Sequence, residues 1–578
     1  MHHQSRRSFV DGIGRSAVAA ALGPLLDDPM IQAEVAAVPD AILTALNRMA
    51  YGPSAADLAH ARQIGLDAYI AEQLSPDSID DSACDAKLTA VRMRTAYAAG
   101  TGYVARNEVL PLDYLSKTTT ELWNLRNWGM QMAYQERMRP WYEVRAAAWV
   151  RALYSKRQLR EVMADFWHNH FNVNPGSDAA ISVGFPEYDR IIRANSFGNF
   201  RTFLEAIAKT PAMLYFLDNY LNEAGGGEGG NENYARELFE LHALGSDNYL
   251  KFYDDRTAVG MMTYGDETFV RGYIDDDVYE AARCLTGWTV DRDTGAFVAD
   301  LNTHDSNQKI VLDKPIKRSQ GVLKDGQDVF DMLANHPGTA RTICTKLCRR
   351  LIADEPPTGT VDAAVATWMA NRSAPDQIKK VLATILASSA FRTSFGLKAK
   401  RPFEFVTSFL RATGGDLVID DSIYPGTDGD DSVWGSFAWS MGNTGHRLFE
   451  WPTPTGHPDR ASYWLSTNGM LQRWNFLNWL QASWGGHIAL NLRAQTNAAV
   501  PGGTVTAIVD YWLGRLLGYS IAASERTALI EFFAQGGSAT QPPKPQQGRP
   551  DYGSDDAITE RIDTLVFLIA MSPAFQQR

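Results

Sequence analysis

The sequence predicts a mainly α, multi-helical protein: one large domain with a small β-hairpin element and long loops. Three observations carry that reading. In most long segments apolar residues recur at three- and four-residue steps, the spacing of one helix face. Alternating strand patterns are rare, and FVADL (297–301) and KIVL (309–312) are the best of them. The chain has 578 residues, 45% hydrophobic and 21% charged. That is a normal globular balance, but too long for one ordinary compact core, so two or three layers or subdomains are expected.

The chain opens on SRRSFVDGIGRSAVAAALGPLL (5–26). Arg6 and Arg7 followed by Phe9 and Val10 have the form of a twin-arginine export signal. Asp11 and Arg15 interrupt the apolar stretch, which such signals tolerate. Residues 1–36 are therefore set apart from the fold. The helical domain is expected over 37–578, in the periplasm or outside the cell.

In 159–170, Leu159, Val162, Met163, Phe166 and His170 share one helix face. Ser155 with Gln158 three residues on reads as a capping box that starts this helix. Asn174-Pro175-Gly176 stops it. FLEAIAKTPAMLYFLDNYL (203–221), AARCLTGW (281–288) and DVFDMLANHPGTARTICTKLCRRLI (328–352) show the same period. So do IKKVLATILAS (378–388), FEFVTSFLRATGG (403–415) and ITERIDTLVFLIAMS (558–572). One small hairpin is expected near 289–312. GGGEGG (225–230), the aromatic and polar stretch 246–274, the Gly/Asp/Trp/Pro-rich 415–460 and the Pro/Gln/Gly-rich 536–555 read as loops.

The net charge of −12 gives no reason to seek nucleic acid, whose affinity rests on phosphate neutralisation. No stretch is long and apolar enough to span a membrane as a helix. Four cysteines are too few for a disulfide scaffold. Cys344 and Cys348 share a helix face; they could bond in an oxidising compartment, and the plainer reading is two small core side chains.

Two clusters carry candidate chemistry. The first is FWHNHF (166–171). At about 100° per residue, His168 and His170 point about 200° apart and cannot share one metal unless the helix ends between them. His170 lies on the apolar stripe; Asn169 or His168 faces a cleft. The second is NENYARELFELH (231–242). On one helix Asn233, Glu237 and Glu240 fall on one face, and Arg236 could pair with Glu240. Asn231, after the glycines, is a candidate N-cap of a mild anion site. Asp218 could add an oxygen ligand or simply cap a turn. His304, Asp305 and Lys309, and His446, His457, Asp459 and Trp464, are weaker candidates. There is no HExxH, CxxC pair, GxSxG elbow, P-loop or dinucleotide fingerprint.

Two chemistries fit these residues. In a divalent-metal hydrolase, His168 or His170 would join Glu237, Glu240 and Asp218 around zinc, manganese or iron, which would activate water. In a metal-free polysaccharide lyase, Asn169, His170, Tyr234 and Arg236 would supply the inventory. The Asn would neutralise a uronate, and the His or Tyr would move protons. Fifteen Trp and 22 Tyr would furnish sugar-stacking surfaces, though aromatics are also core material.

Ordered blocks run from about residue 40 to the C-terminus. They are LNRMAYGPSAADLAHARQIGLDAYIAEQL (46–74), FWHNHFNV (166–173), PAMLYFLDNYLN (211–222), NENYARELFELHALG (231–245) and DDDVYEAARCLTGWTV (275–290). HDSNQKIVL (304–312), HPGTARTICTKLCRRLI (336–352), KRPFEFVTSFLRATG (400–414) and WPTPTGHPDRASYWLSTNGMLQRWNF (451–476) follow. Together they resemble the bacterial domain-of-unknown-function family 1800. The resemblance implies a large, often exported protein, frequently encoded beside an exported family similar to sulfatases and alkaline phosphatases. It therefore implies either extracytoplasmic polymer or glycan chemistry, or a non-enzymatic scaffold or chaperone for a sulfatase-like partner. Relative to that family, 246–274 stands as an insertion in place of a short glycine-rich turn.

Overall fold

The computed structural model describes residues 39–225, 230–251, 256–417, 433–482, 488–544 and 554–578. The export signal expected at 1–36, most of the glycine run and parts of the 246–274, 415–460 and 536–555 segments lie outside them.

The described chain is mainly helical, with small two-stranded antiparallel hairpins. Six helices position the site: α1 (Tyr134–Tyr154), α2 (Gln158–His170), α3 (Ala179–Asn195), α4 (Asn233–Glu237), α5 (Pro337–Leu351) and α6 (Pro402–Thr413). The helix expected over 159–170 is α2, which ends before Asn174-Pro175. Its start is different from the expected capping box. Ser155 is the C-cap of α1. Gln158 Nε2 turns back to donate to Ala152 O and Ser155 O (3.2 and 2.8 Å). Gln158 Oε1 accepts from Tyr51 N (3.1 Å). A buried amide with several partners was worth more here than a local cap.

Two hairpins, not one, occupy the region around 289–312. Trp288–Val290 pairs with Phe297–Ala299, and Lys309–Val311 pairs with Lys314–Ile316. The two runs picked out as strands are thus both strands, but each pairs with its own neighbour. The 246–274 segment holds a further hairpin, Met261–Tyr264 with Glu267–Val270.

Buried apolar side chains gather into two large clusters. One runs through residues 45–391 and the other is built mostly from 403–575. α1 feeds both: Met138, Trp141 and Val144 enter the first, Trp149, Val150 and Leu153 the second. α2 does the same, sending Leu159, Met163, Phe166 and Trp167 to the first and Val162 to the second. FWHNHF therefore ends a helix that stands at the seam of the two cores.

A buried ion network crosses that seam. Asp165 of α2 accepts from Arg350 of α5 (3.1 Å) and from Arg401. Glu404 of α6 accepts from Arg350, Arg401 (3.1 Å) and Arg578 (2.9 Å). Ion pairs this buried hold orientation more surely than they add stability. Cys84, Cys284, Cys344 and Cys348 are buried free thiols. Among the described residues no helix is long and apolar enough to cross a membrane.

Candidate functional site

The seam face of α2 carries Asp165, His168, Asn169 and, just past the helix, Asn172. His168 Nε2 lies 2.9 Å from Asp189 Oδ1 on α3. A carboxylate accepts, so Nε2 carries a proton, and in the neutral ring Nδ1 is an acceptor. No described residue bonds that Nδ1. Asp189 is held in turn by Arg193 Nε (3.0 and 3.1 Å) and by Arg151 (3.4 Å). Arg193 also grips Glu161 with both terminal nitrogens (2.9 Å each). Burial would raise the Asp189 carboxyl. Arg193, the His168 hydrogen bond and Arg151 overcome it and hold the group far below the usual carboxylate range.

The His168 ring borders two small cavities, each about 290 Å³ with its open mouth included. One is lined by Tyr51, Glu161, Asp165, Arg193 and Phe403. The other is lined by Asp165, Asn169, Asn172, Arg401, His446 and His457.

A loop closes the second cavity, and two amides clasp it to α2. Asn169 Nδ2 donates to His457 O (2.8 Å), and His457 N donates to Asn169 Oδ1 (2.6 Å). Asn172 Nδ2 donates to Trp451 O and Thr453 O (3.0 and 2.7 Å). Between them Gly456 takes φ +70°, and a Cβ there would stand 2.1 Å from Asn169 O. Only glycine fits so close an approach. The clasp sets His457 4.6 Å from His446 and 4.7 Å from Trp451, ring centre to ring centre, with the rings tilted to one another. His446 Nδ1 accepts from Phe403 N (3.3 Å). Burial, with Arg401 nearby, pushes His457 down to about 3. Burial and His457 push His446 well below the usual histidine range. Both rings are therefore neutral near pH 7.

His170 faces the other way. NENYARELFELH is not one regular helix: after α4, Leu238–His242 form a π-helical turn. Such turns leave carbonyls without their usual intrahelical donors. Here they are satisfied from outside. His170 Nε2 lies 3.2 Å from His242 O, and Lys346 Nζ of α5 donates to Leu241 O (3.0 Å) and to His170 Nδ1 (3.3 Å). Burial, then Lys346 and His242, hold His170 well below its usual range. Burial and Arg349 push Lys346 down to about 8. Tyr234 packs beside His242, ring centres 6.4 Å apart. The Tyr234 hydroxyl and both His242 ring nitrogens are buried with no partner among the described residues.

The remaining predicted residues scatter. Arg236 pairs with Asp275 (3.0 Å) rather than with Glu240, because the π turn breaks the one-turn register. Burial and neighbouring Glu240 raise the Glu237 carboxyl. Asn231 Oδ1 accepts from Asn233 N (3.0 Å), a local turn at the start of α4. Asp218 is exposed, in the left-handed region at φ 59°. His168, His170, Asp218 and the Glu237–Glu240 pair thus stand apart. Among the described residues no three His, Cys, Asp or Glu side chains are grouped to hold a metal ion. His304 is a buried structural histidine, its Nε2 3.2 Å from Asp325 Oδ2, to which Lys309 donates (2.6 Å).

Asp189, Arg193, Lys346 and His242 join the site without a motif that points to them. Asp189 and Arg193 sit one turn apart in YDRIIRAN (188–195), a pair readable as helical spacing. Nothing local ties them to His168, which is 21 residues away.

A family model described as protein of unknown function (DUF1800) matches residues 44–577. No curated protein matches the chain, and no solved structure does.

Proposed function

We propose that this chain, which belongs to the DUF1800 family, is an exported enzyme that cleaves an extracytoplasmic polymer or glycan, by hydrolysis, through general acid–base chemistry at His168. The observation that carries the reading is the His168–Asp189 pair beside cavities at the seam of two cores. Clefts between packed units are where ligand sites concentrate. Asp189 fixes the tautomer and the ring orientation. The free Nδ1 takes a proton from water and returns one to the leaving group, a contribution of roughly 10²–10⁴-fold. Neutral His446 and His457 line the same space and supply uncharged hydrogen-bonding groups.

A cavity of this size admits about one water molecule. Trp451, 4.7 Å from His457, and the 46% exposed Tyr463 beside it would offer a polymer stacking faces. Among the described residues no three-ligand set is grouped, and the proposed steps are assigned to His168 alone. The lyase inventory of Asn169, His170, Tyr234 and Arg236 has little support, because Asn169 is spent on the loop clasp and His170 on the π turn.

A second reading rests on a specific observation. Asn169, Asn172 and His170 are all engaged in holding this chain's own loops, which leaves fewer groups for chemistry and favours a scaffold or chaperone for a sulfatase-like partner. A degradation screen of the purified protein on acidic and neutral glycans separates the two. Turnover lost in His168→Gln supports the enzyme. A folded wild type that degrades nothing, yet binds the partner, supports the scaffold. For export, replacing Arg6 and Arg7 together by Lys is expected to trap the protein in the cytoplasm, as read by cell fractionation.

A further inference from the structure

A third cavity lies on another side of Arg193. It holds about 720 Å³, open mouth included, between the turn at 74–78, the end of α3 and Lys379. Its polar lining is Ser75, Ser78, Asp77, Arg160, Arg193 and Lys379. Three cations thus face one carboxylate, in a chain whose net charge is −12.

The three cations are unequally compensated. Arg193 is neutralised from its inner side by Glu161 and Asp189. Among the described residues Arg160 has only Asp77 (3.0 Å), whose side chain is 84% exposed, and such exposed pairs contribute little. Its Nε is buried with no partner among those residues. Lys379 Nζ donates to Ser75 Oγ (3.1 Å) and has no ion pair among the described residues. A concave, part-buried site with two under-paired cations and a hydroxyl focuses positive potential.

We infer that this cavity is a binding site for an anionic group, a sulfate, phosphate or sugar carboxylate, gripped by Arg160 and Lys379 with Ser75 completing the cradle. Arginine presents its fork to two anion oxygens and lysine adds a point charge. The site is independent of the reading of His168. Its inner wall, Arg193, nevertheless bonds the same Asp189 that orients that ring.

The test is calorimetric titration of the full chain at low ionic strength with sodium sulfate and, separately, with glucuronate. Saturable binding of at least one is expected, weakened about tenfold or more in Arg160→Gln and in Lys379→Gln. Lys380→Gln, which removes a lysine paired with Asp376 (2.9 Å) outside the cavity, should bind as the wild type does. Preference for sulfate would mark a tetrahedral oxyanion site; preference for glucuronate would mark a sugar acid. As a second readout, the favoured anion should raise Tm above sodium chloride of equal ionic strength in the wild type and not in the Arg160→Gln/Lys379→Gln double variant. No saturable binding of either anion, or equal binding by the double variant, overturns the inference.

Discussion

His168 and His170 stand two residues apart on one helix and are equally hidden, at 6% and 5% exposure. Burial therefore does not tell them apart; their partners do. His168 gives one nitrogen to a carboxylate and keeps the other beside a cavity. His170 has both nitrogens engaged, one with a backbone carbonyl and one with a lysine. The first arrangement leaves a lone pair to work with, and the second leaves none. A histidine in a core is a plug when both nitrogens have partners and a candidate for chemistry when only one does.

The contrast can be broken most forcefully at His168. His168→Gln keeps a side chain that can still reach Asp189, so the fold should survive while cleavage of the responsive polymer falls about 10²–10⁴-fold. Asp189→Asn should cost more stability than any other change on this face. It leaves Arg193 and Arg151 facing a neutral amide, a loss of about 3–5 kcal/mol in urea unfolding.

On the other face, His170→Ala strips Lys346 of a partner, removes the donor to His242 O and opens a cavity. A loss of about 2–4 kcal/mol is expected, with cleavage per folded molecule unchanged. If activity instead fell as far as in His168→Gln with the fold intact, the division of labour between the two rings would be wrong.

Acid should act on both faces. His242, pushed down to about 3 by burial and Lys346, and His457, pushed down to about 3 by burial and Arg401, stay neutral in the fold. Unfolded, each takes a proton near 6.5. The unfolded state thus binds more protons between those values. Their stabilisation is complete above about pH 6.5 and is lost as pH falls from there toward 3. Tm should drop across that window, and His242→Phe should flatten the slope. The smallest effect belongs to Tyr234→Phe. Its hydroxyl is buried without a partner among the described residues, so removing it should change stability by less than about 1 kcal/mol, or raise it.

Much of this was readable from the residues, and the failures have physical causes. Period 3.6 locates α2 to within a residue, and the spacing of about 200° separates the two histidines. The capping box at Ser155 and Gln158 had the right residue types, but Gln158 found better partners in α1. NENYARELFELH reads as one amphipathic helix because a π turn has no compositional signature. The carbonyls it exposes are met by His170 and Lys346, far away in sequence. Asp189 was invisible as a partner of His168 for the same reason: helix spacing reports faces, not which faces meet.

The measurement that decides the account is a parallel degradation assay on one glycan panel with wild type, His168→Gln and His170→Gln, each normalised to the folded fraction. The account predicts a responsive polymer whose cleavage is abolished in His168→Gln and retained in His170→Gln. Wild-type rates in a folded His168→Gln protein would contradict it and leave FWHNHF as architecture alone.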